Sequence, residues 1–209
     1  MKITVLGGSG FIGSHVADAL SRCGHKVTIF DKKKPVFINK SQRYFKGDIT
    51  KSSDLAIGLK RQEIIYNFAA LADIDQARTQ PLKTMQINIE GTLNVLNLCK
   101  RFNIKKIIHA SSIYANSAEG SYYAISKRCA ENYIEEFSNL NNLKYTILRF
   151  GSLYGERAER NNGIQRIISN LVFKKKLVYR GEKKAARKYI NVKDAALACV
   201  QILNKKYEN

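Results

Sequence analysis

A glycine-rich segment, GGSGFIG at residues 7–13, most narrows the folds open to this chain. The apolar run at residues 2–6 predicts a strand before it, and apolar side chains at helical spacing predict a helix over residues 11–23 after it. Glycines let the backbone turn tightly and approach a pyrophosphate, and the helix N-terminus offers free N–H groups to the anion. This strand–turn–helix context predicts a dinucleotide-binding loop and not merely a tight turn. The predicted cofactor contacts in the loop are Gly7, Gly10, Phe11, Ile12 and Gly13.

Asp31 ends the second predicted strand, 18 residues after Gly13. A carboxylate at this point can accept hydrogen bonds from both ribose hydroxyls of an adenosine, and it would repel a 2′-phosphate. Asp31 therefore favours NAD over NADP as the cofactor. The lysines at residues 32–34 keep NADP open, because a neighbouring lysine could neutralise such a phosphate.

Strands and helices alternate along the first 150 residues. The predicted strands are residues 2–6, 26–30, 43–46, 63–68, 105–110 and 145–150, and the predicted helices are residues 11–23, 52–60, about 81–101 and a segment containing Ala130, Ile134 and Phe137. Short strands separated by crossover helices predict an α/β fold, a Rossmann-type doubly wound parallel sheet, as an NAD-binding domain over residues 1–150. Residues 151–209 predict a small partial C-terminal substrate-binding lobe packed on it, with helices at 163–173 and 192–203 and short strands at 177–179 and 188–190.

Composition excludes several other classes of protein. With 44% apolar and 25% charged residues, the chain has the composition of a globular protein. Its apolar runs are too short for a membrane span, and Met1 runs directly into the first strand, which leaves no room for a signal peptide. Four widely spaced cysteines fit reduced thiols in the cytoplasm, and three histidines without metal-ligand spacing predict no metal site.

The net charge of +19 comes from lysine runs scattered along the chain. A dedicated nucleic-acid module would gather such residues on one helix or interleave them with aromatic side chains. We therefore expect a solvated basic surface, and nucleic acid is not an expected partner.

Tyr123 and Lys127 are four residues apart, which places them on one face of a helix. A phenol with a pKa of about 10 is a poor base at pH 7, but a nearby ammonium stabilises the phenolate and lowers that pKa. Ser112 follows a predicted strand, and its hydroxyl can bind the same substrate oxygen. The three residues predict a catalytic group that removes a proton from a carbinol while the hydride passes to a nicotinamide.

These motifs together resemble those of extended short-chain dehydrogenases/reductases, in the NAD-dependent epimerase/dehydratase family. The matching segments, in chain order, are GGSGFIG (7–13), GDI (47–49), NFAA (67–70), NIEGTLNVL (88–96), LRFGSLYG (148–155) and RKYINVKDAA (187–196). The resemblance implies a homodimer formed through the helices at about 81–101 and 121–140. It also implies a nucleotide-diphosphate sugar as substrate, with a UDP-sugar expected first.

The resemblance extends the list of expected site residues. The further cofactor contacts that it implies are Asp48, Ile49, Phe68, Ala69, Ala70, Asn88, Tyr123, Lys127 and Phe150, and the substrate contacts are Ser112, Ser152 and Arg187. Family dehydratases use an adjacent Asp-Glu pair where this chain has Ile113 and Tyr114, so dehydration is not expected.

Three functional hypotheses remain at this point. The first is a nucleotide-sugar epimerase that transiently oxidises sugar C4 in cell-surface polysaccharide precursor synthesis, and the second is a nucleotide-sugar 4-reductase using the same residues. Family members are longer chains, so we expect either a longer natural chain or a shortened member without the last strand of the sheet. The third hypothesis follows from the shortened form: a catalytically weak dinucleotide-binding protein that acts as a sensor or partner subunit.

Overall fold

The computed structural model describes residues 1–159, 162–175 and 188–204. The strands in these ranges are β1 (Lys2–Leu6), β2 (Lys26–Asp31), β3 (Arg43–Lys46), β4 (Ile64–Asn67), β5 (Lys106–Ser112), β6 (Lys144–Phe150), β7 (Ser152–Tyr154) and β8 (Tyr189–Asn191). The α-helices are α1 (Phe11–Arg22), α2 (Ser52–Leu59), α3 (Ile74–Thr79), α4 (Pro81–Met85), α5 (Gly91–Arg101), α6 (Ser121–Asn141), α7 (Gly163–Lys174) and α8 (Val192–Gln201). A π-helical turn (Gln86–Glu90) joins α4 to α5, and a 3-10 turn (Ile113–Asn116) follows β5.

Six of the strands form one sheet in the order β3-β2-β1-β4-β5-β6, and every neighbouring pair is parallel. The chain moves outward from β1 in one direction and then from β4 in the other, which is the doubly wound order of the Rossmann fold. The predicted fold class is therefore confirmed. In such sheets a ligand binds beyond the carboxyl ends of the strands, at the point where the order reverses. Here that point lies between β1 and β4.

Apolar side chains cover both faces of this sheet. Val16 and Leu20 of α1 pack on one face together with Cys199 of α8, while α2, α5 and α6 pack on the other. Two buried polar side chains hold α8 to the sheet: the Tyr66 hydroxyl donates to the carbonyl of Cys199 (2.6 Å), and the Lys106 ammonium donates to the carbonyl of Ile202 (2.9 Å). α8 thus shares a hydrophobic core with α1. The division into two domains at residue 150 stays a prediction.

The predicted helix at about 81–101 is divided into α4, the π-helical turn and α5. A π-helical turn inserts extra residues per turn and so rotates the faces of the helices that it joins. As a result Met85 is exposed while Leu96 is fully buried, although an uninterrupted α-helix would place these two residues, eleven apart, on the same face. Sequence periodicity cannot show such a rotation, because it assumes one uninterrupted helix.

Two further elements were not predicted from the sequence. The first is α3, where the carboxylate of Asp73 accepts a hydrogen bond from the backbone N–H of Gln76 (2.8 Å) and caps the helix. β7 forms a small parallel pair with β8. The predicted strand at residues 177–179 lies outside the described residues. In the described part of the chain, no helix has both the length and the apolar character needed to cross a membrane.

The turn between β1 and α1 depends on two close backbone approaches. Gly7 has a φ of +73°, and a Cβ placed there would lie 2.7 Å from the backbone nitrogen of Ala69. A Cβ on Gly13 would lie 2.3 Å from the carbonyl oxygen of Gly7. Any side chain at either position would push β1, β4 and α1 apart, so the predicted use of glycine for close packing is confirmed here.

We expect Gly7→Ala to lower the free energy of unfolding by about 2–4 kcal/mol, because overpacking adds to backbone strain. Gly24→Ala is the matched control: Gly24 also has a positive φ (+80°), but a Cβ placed there would have nothing within 4 Å. The control therefore loses only the strain energy, about 1–2 kcal/mol. Urea denaturation of both variants measures the difference. Equal losses in the two would show that the approach to Ala69 costs nothing.

Candidate active site

An open cleft of about 240 Å³ lies at the carboxyl edge of the sheet, where the strand order reverses. Its wall is formed by residues that directly follow β1, β2, β3 and β4, together with one residue of the π-helical turn and one from the segment after β7. The predicted cofactor residues that line it are Gly7, Gly10, Asp31, Asp48, Ile49, Phe68, Ala69 and Ala70. The lining residues that were not predicted are Ser9, Phe30, Lys32, Lys33, Gly47, Ile87 and Glu159.

The glycine-rich loop leaves the beginning of α1 available to an anion. Gly10 is the N-cap of α1 and makes no side-chain hydrogen bond to the first turn, so the cap does not occupy the N–H groups there. At the other side of the loop, the carboxylate of Asp31 accepts hydrogen bonds from the backbone N–H groups of Ser9 and Lys33, both at 3.0 Å. These bonds fix the carboxylate at the rim of the cleft, and each oxygen keeps a further lone pair for a ligand.

Lys32 is paired with a second carboxylate of the cleft. Its ammonium lies 2.9 Å from Asp48, which also accepts hydrogen bonds from the backbone and the hydroxyl of Thr50. Burial opposes ionisation of Asp48, but the bonds from Thr50 and Lys32 together hold the pKa of this carboxyl below its usual value. One of the three lysines that could neutralise a 2′-phosphate, Lys32, therefore has a carboxylate partner in this structure.

The three predicted catalytic residues lie together at the carboxyl end of β5, and none of them is among the residues that line the cleft. Tyr123 and Lys127 lie one turn apart on α6, and Ser112 is the last residue of β5, the strand next to β4. The ammonium of Lys127 donates to the carbonyl of Ala110 (2.7 Å) and lies 5.9 Å from the centre of the Tyr123 ring. Ser112 makes a hydrogen bond with the Tyr123 hydroxyl.

Burial sets the ionisation of this group. It raises the pKa of Tyr123 above its ordinary value, and the hydrogen bond with Ser112 opposes this rise without cancelling it. The sequence led us to expect a lowered pKa for this phenol, and the structure shows the opposite direction because desolvation outweighs the hydrogen bond. Burial also lowers the pKa of Lys127 to about 8, while the nearby carboxylate of Glu131 raises it. The lysine is thus close to losing its charge near neutral pH.

Asn88 lies in the π-helical turn but does not line the cleft. Its side-chain amide is buried, accepts from the N–H of Leu71, and donates to the carbonyl of Leu71 and to the hydroxyl of Ser126. Ser126 in turn donates to the carbonyl of Tyr123 (2.8 Å). Asn88 therefore joins the loop after β4 to the helix that contains Tyr123, and its predicted cofactor contact stays a prediction.

Of the remaining predicted residues that the structure describes, none is among those that line the cleft. The ring of Phe150 lies 6.3 Å from that of Phe68, the ring of Phe11 packs edge-on against His15, and Ile12 packs against the core. Ser152 is half-buried at the start of β7. Arg187 lies outside the described residues. Among the described residues there is no group of three or more His, Cys, Asp or Glu side chains that could hold a metal ion.

Comparison with known proteins identifies the family. The family model described as NAD-dependent epimerase/dehydratase matches residues 3–209. The chain belongs to this family. The predicted family membership, its enzyme class and the NAD dependence of that class are thereby confirmed.

The relatives include several nucleotide-sugar enzymes. A putative UDP-glucose 4-epimerase of Methanocaldococcus jannaschii is 30% identical over 99% of this chain and 74% of its own length. The solved UDP-glucose 4-epimerase of Thermus thermophilus, a complex with NAD, has a TM-score of 0.88 and 27% identity over 97% of this chain and 74% of its own. The enzyme of Thermotoga maritima with UDP-glucose has a TM-score of 0.89 and 28% identity over 98% and 74%. The chain spans about half the length of other curated relatives, including UDP-glucuronic acid decarboxylases at 52%.

We expect the burial of Lys127 to make stability depend on pH. Because the pKa of Lys127 is about 8 in the folded chain and 10.5 for an ordinary solvated lysine, the unfolded chain binds more protons between these values. Stability therefore rises with pH in this window. Lys127→Met has no such group to titrate, so its own stability lacks this rise. The free energy of unfolding of Lys127→Met minus that of the unsubstituted chain should therefore fall by on the order of 1–3 kcal/mol between pH 7.5 and 10.5.

Urea denaturation at several pH values measures this difference. Lys60→Met, at an exposed lysine, controls for the loss of one positive charge. A gap between Lys127→Met and the unsubstituted chain that stays constant with pH would show that Lys127 keeps its ordinary ionisation.

Proposed function

We propose that this chain catalyses the NAD-dependent epimerisation of a nucleotide-diphosphate sugar at C4, with a UDP-sugar as the first candidate. The observation that supports this best is the convergence of Ser112, Tyr123 and Lys127 at the carboxyl end of β5, the strand next to β4. The 4-epimerases among the relatives, which match nearly the whole of this chain, support the same reaction.

The residues of the cleft fit a dinucleotide. A pyrophosphate can approach the backbone at Gly7 and Gly10, which have no side chains, and can bind the N–H groups at the beginning of α1. The Asp31 carboxylate can accept hydrogen bonds from a pair of ribose hydroxyls. Asp48 and Ile49 form the part of the wall that would contact adenine. In this proposal Phe11, Ile12, Gly13, Asn88 and Phe150 complete the cofactor site from the positions described above, and Ser152 and Arg187 contact the sugar nucleotide.

The chemistry at the sugar follows from the three catalytic side chains. Bound NAD would supply the acceptor for the C4 hydride and the donor for its return. The phenolate of Tyr123 takes the proton of the C4 hydroxyl as the carbonyl forms, and gives it back to the same oxygen when the hydride returns to the opposite face of the sugar. The ammonium of Lys127 stabilises the phenolate, and the hydroxyl of Ser112 donates to the sugar oxygen. No proton or hydride is gained or lost overall, so the product is the C4 epimer.

Dehydration is disfavoured by the residues after Ser112. Ile113 and Tyr114 stand where family dehydratases have an acid and a base, and the side chain of Ile113 can do neither task. Because the first intermediate of both reactions is the same 4-keto sugar, this difference in side chains decides which product is formed.

We also propose that the NAD-binding domain ends at residue 150, where the substrate-binding lobe begins, and that the protein is cytoplasmic.

We expect Tyr123→Phe to reduce turnover of a UDP-sugar by at least 100-fold, because general acid–base catalysis typically contributes about 10²–10⁴-fold. Tyr133→Phe, on an exposed face of the same helix, is the matched control and should keep full activity. NAD should raise the melting temperature of both variants more than NADP does. Product analysis by NMR distinguishes a C4 epimer from a reduced sugar. Undiminished turnover in Tyr123→Phe, or no thermal shift with NAD, would contradict the proposal.

We further propose that the chain forms a homodimer through α4, α5 and α6. Leu82 of α4 is 74% exposed and Ile125 of α6 is 59% exposed, and with Met85 and Tyr122 they line one apolar groove. A second copy of this chain would present the same groove, so that α4 and α6 of each copy pack together and cover these side chains.

Ile125→Arg should convert the dimer to a monomer, since it places a charge at the centre of the apolar face. Ile57→Arg, at an exposed position on α2, should leave the dimer intact. Sedimentation equilibrium of the unsubstituted chain and both variants measures the mass. A monomeric unsubstituted chain at micromolar concentration would exclude this interface.

A further inference from the structure

A buried carboxylate lies one helical turn beyond Lys127. Glu131 of α6 is almost fully buried, and an isolated charge at such a position would be very costly. Arg149 of β6 supplies the partner: its Nε atom lies 3.1 and 3.2 Å from the two carboxylate oxygens, and Nη2 lies 2.7 Å from Oε2. Glu131 and Arg149 therefore form a bidentate ion pair that joins α6 to the edge of the sheet.

The ion pair lies in line with the catalytic residues. Tyr123, Lys127 and Glu131 follow one another at four-residue spacing, so they lie on the same face of α6. Arg149 is the register partner of Ser111, the neighbour of Ser112, on the adjacent strand β5. The Glu131–Arg149 pair thus holds α6 against the two strands from which the site is built.

The two charges of the pair are not equally exposed to water. The side chain of Glu131 is 3% exposed, whereas that of Arg149 is 43% exposed. Solvent screens the guanidinium more strongly than the carboxylate, so the net field of the pair at Lys127 is negative. This agrees with the upward effect of Glu131 on the pKa of Lys127.

Other ionisable groups also face this region from the surrounding elements. They are Tyr123 and Glu135 on α6, His109 on β5, Arg149 on β6 and Tyr114 on the 3-10 turn. Burial lowers the pKa of His109 well below its usual value, with a contribution from Lys127, so this imidazole is neutral at pH 7. Glu135 is exposed. The buried carboxylate of Glu131 is therefore the negative group that acts on Lys127 with little screening.

We propose that Glu131, held by Arg149, is a positioning residue that keeps Lys127 charged and in place beside Tyr123. Burial of the lysine opposes its charge, and the phenolate of Tyr123 needs that charge. The carboxylate compensates for part of the desolvation without touching the substrate. This inference rests on the proposed roles of Tyr123 and Lys127. It adds that catalysis also needs a buried negative charge near Lys127.

The test compares two substitutions that change the charge around Lys127 in opposite directions. Glu131→Gln removes the negative charge but keeps an acceptor for Arg149. It should lower the titration midpoint of the Lys127 ammonium by about one pH unit, which is a tenfold change in the ratio of charged to neutral lysine. Arg149→Met removes the positive charge and should raise the midpoint. Glu135→Gln is the matched control on the same helix and should leave it unchanged. The midpoint is read by ¹⁵N NMR of the labelled full chain, with and without NAD.

Kinetics give the second readout. In Glu131→Gln the alkaline limb of the pH profile of kcat should move down by the same amount as the NMR midpoint, with KM nearly unchanged. Glu131→Asp, which restores the charge, should move it back toward the original position. If the ion pair only holds α6 in place, the midpoint should move in the same direction in Glu131→Gln and Arg149→Met, or in neither variant. Either result would overturn the proposal.

The two proposals can fail separately. Full activity in Tyr123→Phe overturns the catalytic assignment, while the NMR midpoints still decide whether Glu131 controls the charge of Lys127. If Glu131→Gln does not fold, the upward shift expected in Arg149→Met decides the question alone. An unchanged midpoint in a folded Arg149→Met variant would then reject the coupling.

Discussion

The close contact between the turn after β1 and the segment after β4 is the constraint on which this structure depends. The backbone at Gly7 and that at Ala69 approach so closely that no side chain fits between them. This approach brings together the two strands at which the sheet order reverses, and it leaves an open cleft above them. The same feature therefore sets both the packing of the fold and the place where an anionic cofactor can bind. Asp31 and Asp48, at the ends of the next two strands, line this cleft at positions that the sheet determines.

Burial has a cost at the neighbouring strand end. The site excludes water from Tyr123 and Lys127, and this exclusion moves the pKa of the phenol up and that of the ammonium down, so the neutral phenol is favoured more strongly and the charged lysine less strongly than in water. Acid–base chemistry on a hydroxyl needs the charged forms to be within reach. In the proposed mechanism compensating charge has to come from close by, and the carboxylate of Glu131, one turn further along α6 and held by Arg149 of β6, is one source of it. The proposal thus gives a reason for a buried carboxylate next to Lys127, where burial opposes the charge that the reaction needs.

Much of the architecture could be predicted from the sequence, because buried parallel strands are continuous apolar runs and the glycine loop is a contiguous motif. The six strands of the sheet and the loop were predicted in this way, and the predicted grouping of Ser112, Tyr123 and Lys127 agrees with the structure, while the roles of these residues and of Asp31 stay predictions. Short elements such as α3 and β7 have too few residues for periodicity, and the π-helical turn breaks the regular spacing on which such predictions depend. The partners of Asp48 and Glu131 could not be predicted, since Lys32 and Arg149 reach them from other elements. The directions of the pKa shifts depend on burial, which only the assembled structure shows.

The attachment of α8 has a consequence for how this protein can vary. Tyr66 and Lys106 bind the carbonyls of Cys199 and Ile202, so the chain returns to the sheet after leaving it at β6. β7, α7 and β8 therefore lie between two points of the chain that are fastened to the same core. Connecting segments of this kind tolerate changes in length and sequence better than the elements that they join, except where they contact the core, as Arg157 does through Asp18 (2.8 Å). If this part of the chain contacts the sugar nucleotide as proposed, its substrate preference can change without any change in β5 and α6, which carry Ser112, Tyr123 and Lys127.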